Sequence, residues 1–220
     1  MSHIATDTFY RDKHESIKKL SEGNVVFLIE GVGTGSKENE DRFNQSLGFK
    51  FDNNLYPTMA RITGLSVQSG SVLFDGIQRE KLINIDMNID EIVGLLPPIA
   101  SISGALTPPL THLDGEVQML ESLSQSENKF LEYTLRAFLN WSIIYTAEID
   151  RITLIDKNEL YDIIIGKRNQ KIVDYIVANP DKDIVIVYGA LHYPGIMQSL
   201  VYHDKNWKIE NYTNHAPYSD

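Results

Sequence analysis

Two uninterrupted apolar runs, Val25–Ile29 and Ile184–Tyr188, each stop at residues that can do chemistry: Glu30-Gly31 after the first and Gly189-Ala190-Leu191-His192 after the second. A strand with no apolar–polar alternation is expected where a parallel sheet is covered on both faces by helices. Ahead of the first run, Tyr10–Leu20 is helix-compatible, with Ile17 and Leu20 on one side and Lys13, Glu15 and Lys18 around the rest. Ser21-Glu22-Gly23-Asn24 supplies its stop. After Glu30, the Gly-rich and charged stretch Gly31–Arg42 reads as a flexible loop leading into a short helix at Asn44–Leu47. Gly48–Gly76 has no sustained period and reads as loops with one or two short strands. Lys81–Asp86 reads as a third strand and Ile89–Val93 as a short helix.

Pro97-Pro98 and Pro108-Pro109 bracket a Ser-, Gly- and Thr-rich segment, and residues 94–126 are expected to form a lid or insertion. Beyond it, Leu131, Leu135, Phe138, Tyr145 and Ile149 recur at helical intervals and predict a long amphipathic helix. A second helix is predicted from about Asn158 to Ala178, with Leu160, Ile164, Ile172 and Ile176 on one face. The segment after His192 starts a further helix past Pro194-Gly195, Trp207–Tyr212 alternates like an edge strand, and the tail to Asp220 reads as loose. The expected fold class is α/β, a mainly parallel central sheet flanked by helices, in one domain over residues 1–220.

Composition narrows the function classes. A chain of 220 residues that is 42% hydrophobic can bury a sizeable core. Its formal net charge of −10 argues against a nucleic-acid partner, whose phosphates are met by Lys and Arg. With no cysteine, disulfides, thiolate nucleophiles and Cys-based zinc sites are excluded. No secretory signal pattern and no run of ~18 apolar residues occurs, so no membrane segment is expected and the compartment is left unknown.

If the three strands are parallel neighbours, Glu30, Asp86 and His192 meet at one rim of the sheet, where open α/β sheets gather their ligands. Each has a plainer role: Glu30 as a helix cap or surface ion pair, Asp86 as the cap of the helix at Ile89, His192 as a brace for the Tyr193-Pro194-Gly195 turn. Arg168 falls on the apolar stripe of Ile164, Ile172 and Ile176, where an unpaired guanidinium is costly. Its plainer role is a structural salt bridge with a residue such as Asp86 or Glu30, or snorkelling to the rim; its functional role would be to fix a carboxylate ligand or to steady negative charge on a substrate. His14, His112, His203 and His215 lie in polar contexts and read as surface residues. Gly31, Gly33 and Gly35 lack the spacing of a phosphate loop. No H-E-x-x-H or G-x-S-x-G occurs. Phe130, Tyr133, Phe138, Trp141 and Tyr145 read as core, or else as the lining of a hydrophobic ligand cleft.

Ser2-His3 with Phe9-Tyr10 downstream, the strand ending in Glu30-Gly31, Arg168-Asn169, and Gly189-x-x-His192, in this order, resemble the TraB/PrgY/GumN proteins. That group is similar to the Tiki metalloproteases and, more distantly, to the erythromycin-esterase and ChaN-like proteins. The resemblance spans roughly His3 to Leu200 and implies a metal-dependent, peptidase-like hydrolase. It implies a divalent metal, Mn, Co or Zn, held by His3, Glu30 and His192, with Glu30 and Arg168 as catalytic groups. Asp86, Asn169 and Tyr193 are the expected contacts to a peptide or small-molecule substrate. The rival is a non-catalytic protein that sequesters a peptide pheromone or a porphyrin. The first motif has no strand or glycine before His3, so an upstream strand, or a homodimer contact covering the sheet edge, is expected.

Overall fold

The computed structural model of the chain describes residues 2–47, 55–97, 122–149, 162–211, 213 and 215–218. Its centre is a three-stranded parallel sheet. The middle strand, β2 (Val25–Ile29), pairs along its whole length with β5 (Asp183–Val187) and through Phe27 and Leu28 with β4 (Leu82–Ile83). A separate antiparallel ribbon joins β1 (Ile4–Ala5) to β3 (Ser66–Val67).

Both faces of the parallel sheet are covered, as its unbroken apolar strands require. Successive side chains alternate between faces, so Val26 and Leu28 of β2 join Ile184 and Ile186 of β5 on one face. That face packs on Ile172, Val173 and Ile176 of the helix Arg168–Ala178, and on Ile196 and Leu200 of the helix His192–His203. Val25, Phe27, Ile29, Val185 and Val187 face the other way, onto Ile17 of α1 (Asp7–Ser21) and Leu73 of α4 (Gly70–Leu73). Phe27, Leu28 and Ile172 are completely buried, each worth about 1.5–3 kcal/mol of transfer free energy. By the same alternation Glu30, next in line after Leu28, emerges on the face of the two C-terminal helices.

Several elements differ from the sequence expectation. The helix expected at Asn44 begins earlier, as α2 (Lys37–Leu47), because Ser36 and Asn39 both anchor its start on Asp90 Oδ1. The stretch read as loops holds α3 (Leu55–Thr63), with Pro57 in its first turn, where no intrahelical N–H is lost. Gly64, at φ +60°, ends that helix, and Leu65 N–H returns to Ala60 O at 2.8 Å. The Gly31–Gly35 stretch is pinned rather than flexible. Gly33 bridges to Asn88 just before α5 (Ile89–Leu95), and a Cβ on Gly33 would lie 2.9 Å from that of Asn88.

The long helix α6 (Gln125–Ile149) packs on α3, and Arg136 donates to the carbonyls of Thr63 and Gly64 at the end of α3. Its aromatic face points away from that contact: Phe130, Tyr133, Phe138 and Trp141 are all exposed, contrary to the core reading. A π-helical turn (Asp162–Lys167) leads into α7 (Arg168–Ala178), and α8 (His192–His203) follows β5. Trp207–Asn211 forms no strand. The tail is docked, not loose: Thr6 N–H donates to Pro217 O at 2.9 Å, and Tyr218 is buried with Ile4, Ala60 and Leu65. Residues 98–121, most of the expected lid, lie outside the described residues, as do His112, Leu160 and Tyr212. Among the described residues no helix is long and apolar enough to cross a membrane.

Candidate functional site

Three strand ends deliver polar groups to the C-terminal rim of the parallel sheet. β2 is followed directly by Glu30, β5 by Tyr188-Gly189, and β4, after Asn84 and Ile85, by Asp86. Arg168, the first residue of α7, reaches this rim from the apolar stripe it shares with Ile172 and Ile176. Its guanidinium forms a two-point bridge to Asp86, Nε to Oδ1 and Nη2 to Oδ2, both at 2.7 Å. Nη2 also lies 2.8 Å from Glu30 Oε1. Burial would favour the neutral form of Arg168, but Asp86 and Glu30 outweigh it and hold the pKa above its ordinary value. The guanidinium therefore pairs with both carboxylates, where one would have satisfied the sequence expectation.

Asp86 has no exposed side-chain surface. Besides Arg168 it accepts from Met87 N–H at 2.8 Å and Gly31 N–H at 3.1 Å. Both oxygens are used internally, and in this arrangement the side chain anchors Arg168. Nor does it cap α5, because Asn88 does so, in a reciprocal capping box with Glu91.

Glu30 is spent differently. Oε2 accepts Gly189 N–H at 2.6 Å, while Oε1 takes Arg168 and faces His192 Nε2 at 3.4 Å. Burial alone would raise this carboxyl's pKa; the contacts with His192 and Gly189 N–H, and the charge of Arg168, overcome that and hold it well below the usual carboxylate range. Gly189 is required for space and not for an unusual backbone: its φ is not positive, but a Cβ there would lie 3.2 Å from Glu30 Oε2.

His192 is 2% exposed and fixed from behind. Its Nδ1 lies 2.6 Å from Asn169 Oδ1, and Tyr188 meets the ring edge-on at 5.4 Å between centroids. The amide oxygen only accepts, so Nδ1 carries a proton; Nε2 donates toward Glu30 when it carries one as well, and presents a lone pair there when it does not. Asn169, expected to touch substrate, instead orients the imidazole. Residues Arg168 and Asn169, about 100° apart around the helix, serve the two sides of one site. Gly195 completes it: a Cβ there would collide with Asn169 Nδ2. The working motif is thus Gly189-x-x-His192-x-x-Gly195 with Arg168-Asn169, and the role of Gly195 is visible only once α7 and α8 are packed together.

His3 is placed less tightly. It precedes β1, which belongs to the ribbon, whereas His192 follows β5 of the parallel sheet. The residue is exposed, its ring stacked on Tyr56 at 4.5 Å between centroids. That packing desolvates the imidazole and lowers its pKa, with Glu30 opposing the shift and Arg168 adding to it. Among the described residues no group of three or more His, Asp and Glu side chains is gathered closely enough to hold a metal ion. The structure brings Glu30 and His192 together, while His3 is not gathered with them into such a group. Tyr193 is 43% exposed at the start of α8. Sequence reasoning missed Tyr56, which lies in the stretch without a period.

No protein-family model, curated protein or solved structure matches this chain.

Proposed function

We propose that the chain is a metal-dependent hydrolase of the TraB/Tiki type, peptidase-like, on a fold of the erythromycin-esterase and ChaN-like kind. The observation that carries this reading is the facing of His192 Nε2 and Glu30 Oε1, two groups able to ligate a cation, across 3.4 Å. A neutral imidazole lone pair and a carboxylate at that distance repel unless a proton or a cation lies between them. Two ligands each ~2.0–2.2 Å from one Zn ion, at a near-tetrahedral angle, span such a gap. The Asn169 brace on Nδ1 is the outer hydrogen bond that metal-bound histidines use to fix tautomer and ring angle.

His192 and Glu30 would hold the ion, and His3 would supply the third side chain. Held there, a divalent ion would supply Lewis-acid polarisation of a carbonyl and a lowered pKa for a bound water. The protein's own groups divide the remaining tasks. Arg168 fixes Glu30 and balances its charge. Glu30, with one oxygen on Gly189 N–H and the other on Arg168, is held in place, which favours ligation over the general-base role. Gly189 N–H locks the second carboxylate oxygen, and Asn169 prevents the imidazole from rotating.

A purely structural role for the same groups has its own support, since Arg168, Asp86 and Glu30 form a closed ion network at the sheet rim. Titration with Zn, Co and Mn separates the two. The hydrolase reading expects one ion bound per chain, loss of that binding in His192→Ala, and metal-dependent cleavage in a mixed peptide pool followed by mass spectrometry. Absence of binding for all three ions overturns it.

A further inference from the structure

We propose that the outer edge of β5 is an association surface that takes Trp207–Asn211 of a second copy of this chain as an added parallel strand. Two halves of an unmade pairing lie on the molecule. The first is β5 itself, which ends the sheet with β2 on one side and, among the described residues, no strand on the other. Val187 O accepts Glu30 N–H, so in the parallel ladder Val187, Val185 and Asp183 turn their backbone groups toward β2. Ile184 and Ile186 therefore turn theirs outward. Among the described residues no loop, turn or side chain meets them there. Such an edge is a template for another strand, and the usual guards are missing, since Ile184–Val187 holds neither a charge nor a proline.

The second half is Trp207–Asn211. Trp207 and Ile209 alternate with Lys208 and Glu210, the segment is exposed throughout, and it pairs with no strand. Trp207 and Ile209 remain 42% and 55% exposed. The turn that launches the segment from α8 is fixed: Trp207 N–H donates to Asp204 O at 3.1 Å, and Asn206 N–H to Asp204 Oδ1 at 2.9 Å. Within one chain the segment stays in solvent while the β5 edge stays open. The two fit each other between copies, as in strand exchange.

Length and charge select the occupant and its direction. The segment has five residues, as β5 does. Asp181 and Asp183 flank the start of β5, and Lys205 and Lys208 flank the start of the segment, so parallel alignment sets opposite charges together. Antiparallel alignment would bring Glu210 toward Asp183. On a chain of formal net charge −10, a basic stretch is suited to an acidic strand end of its own kind. Trp207 and Ile209 then extend one face of the sheet and Lys208 and Glu210 the other. The added strand ends beside Tyr188-Gly189, next to the rim that holds Glu30 and His192, and two-fold symmetry returns the same strand to the first copy.

The experiment uses the full chain, with light scattering after gel filtration over a wide range of concentration and amide hydrogen exchange read residue by residue. Wild type should dimerise as concentration rises, with the Ile184 and Ile186 amides protected in the dimer and labile in the monomer. Ile209→Pro, at an exposed position without a hydrogen bond to lose, should stay monomeric and melt like diluted wild type. Lys208→Glu should weaken the dimer about 10-fold. An unchanged affinity in Lys208→Glu would overturn the parallel alignment. A wild type that is monomeric throughout, with both amides labile, overturns the proposal. A monomer whose amides are protected, and lose protection in Ile209→Pro, overturns it in favour of the chain's own segment closing the edge. A dimer that survives Ile209→Pro places the interface elsewhere and overturns it as well.

Discussion

His192 and His3 are the two histidines expected at the site, and the fold holds them in opposite ways. His192 is buried at the end of a parallel strand, with Asn169 on one nitrogen and Glu30 facing the other. His3 is exposed beside a two-stranded ribbon and is steadied by an aromatic stack and a docked tail. The first environment is fixed before any ligand arrives, because its geometry comes from packed helices and the strand ends of the sheet. The second is assembled from short elements whose contacts are mostly peripheral. A site made of both would be rigid on one side and adjustable on the other.

The largest effect should come from breaking the rigid side at its charge balance. Arg168→Ala leaves the Asp86 and Glu30 carboxylates without their cation, one of them fully buried, and is expected to destabilise the fold by about 3–5 kcal/mol in urea unfolding. A loss below about 1 kcal/mol, the range of exposed pairs, would show that the network is solvated and the contrast with His3 overstated.

Next in size is the fit between α7 and α8. Gly195→Ala forces a methyl into Asn169 and should cost about 1–3 kcal/mol. The two positions share one contact, so in an Asn169→Ala background most of that cost should disappear. Additive effects in the double-mutant cycle would mean that Gly195 is not there to admit Asn169.

Acid should distinguish the two regions more gently. The folded-state pKa of Glu30 is depressed, so on acidification the unfolded chain takes up the Glu30 proton first. Its stabilising contribution is complete above the ordinary carboxylate pKa of ~4.3 and is lost progressively below it as pH approaches the folded value. Glu30→Gln should therefore unfold with a shallower pH dependence below about pH 4.5 than wild type, measured by circular dichroism. An unchanged acid limb would place the Glu30 stabilisation elsewhere. The smallest effect belongs to the adjustable side: His3→Ala, at an exposed position, should stay within about 0.5 kcal/mol of wild-type stability.

The same contrast explains what could be read from the amino-acid sequence. β2 and β5 were legible because a strand buried on both faces must be apolar at every position, as Val25–Ile29 and Ile184–Tyr188 are. Arg168 was legible because a charge on an apolar stripe demands a partner, and Glu30 and Asp86 were the carboxylates at hand. Around His3 no such demand operates. β1, β3 and β4 have two residues each, too few to show a period. α3 buries a narrow face, mainly Ala60 and Thr63 with Tyr56 and Met59 beside them, and the Gly64 stop was its clearest signal. Helical spacing alone also misled: it marks Phe130, Tyr133, Phe138 and Trp141 as neighbours on α6, but only the packing of α6 on α3 decides that their face points outward. Trp207–Tyr212 alternates in sequence, but among the described residues Trp207–Asn211 pairs with no strand.

The central claim is that Asn169 fixes the His192 tautomer so that Nε2 faces Glu30 ready for a divalent ion. Isotope-edited NMR of the histidine side chains, recorded before and after addition of Zn, tests it most directly. The account predicts a proton on Nδ1 of His192 in the metal-free protein and a shift on Zn addition confined to Nε2, both abolished in Asn169→Ala. A neutral ring carrying its proton on Nε2, with signals indifferent to Zn, would contradict it.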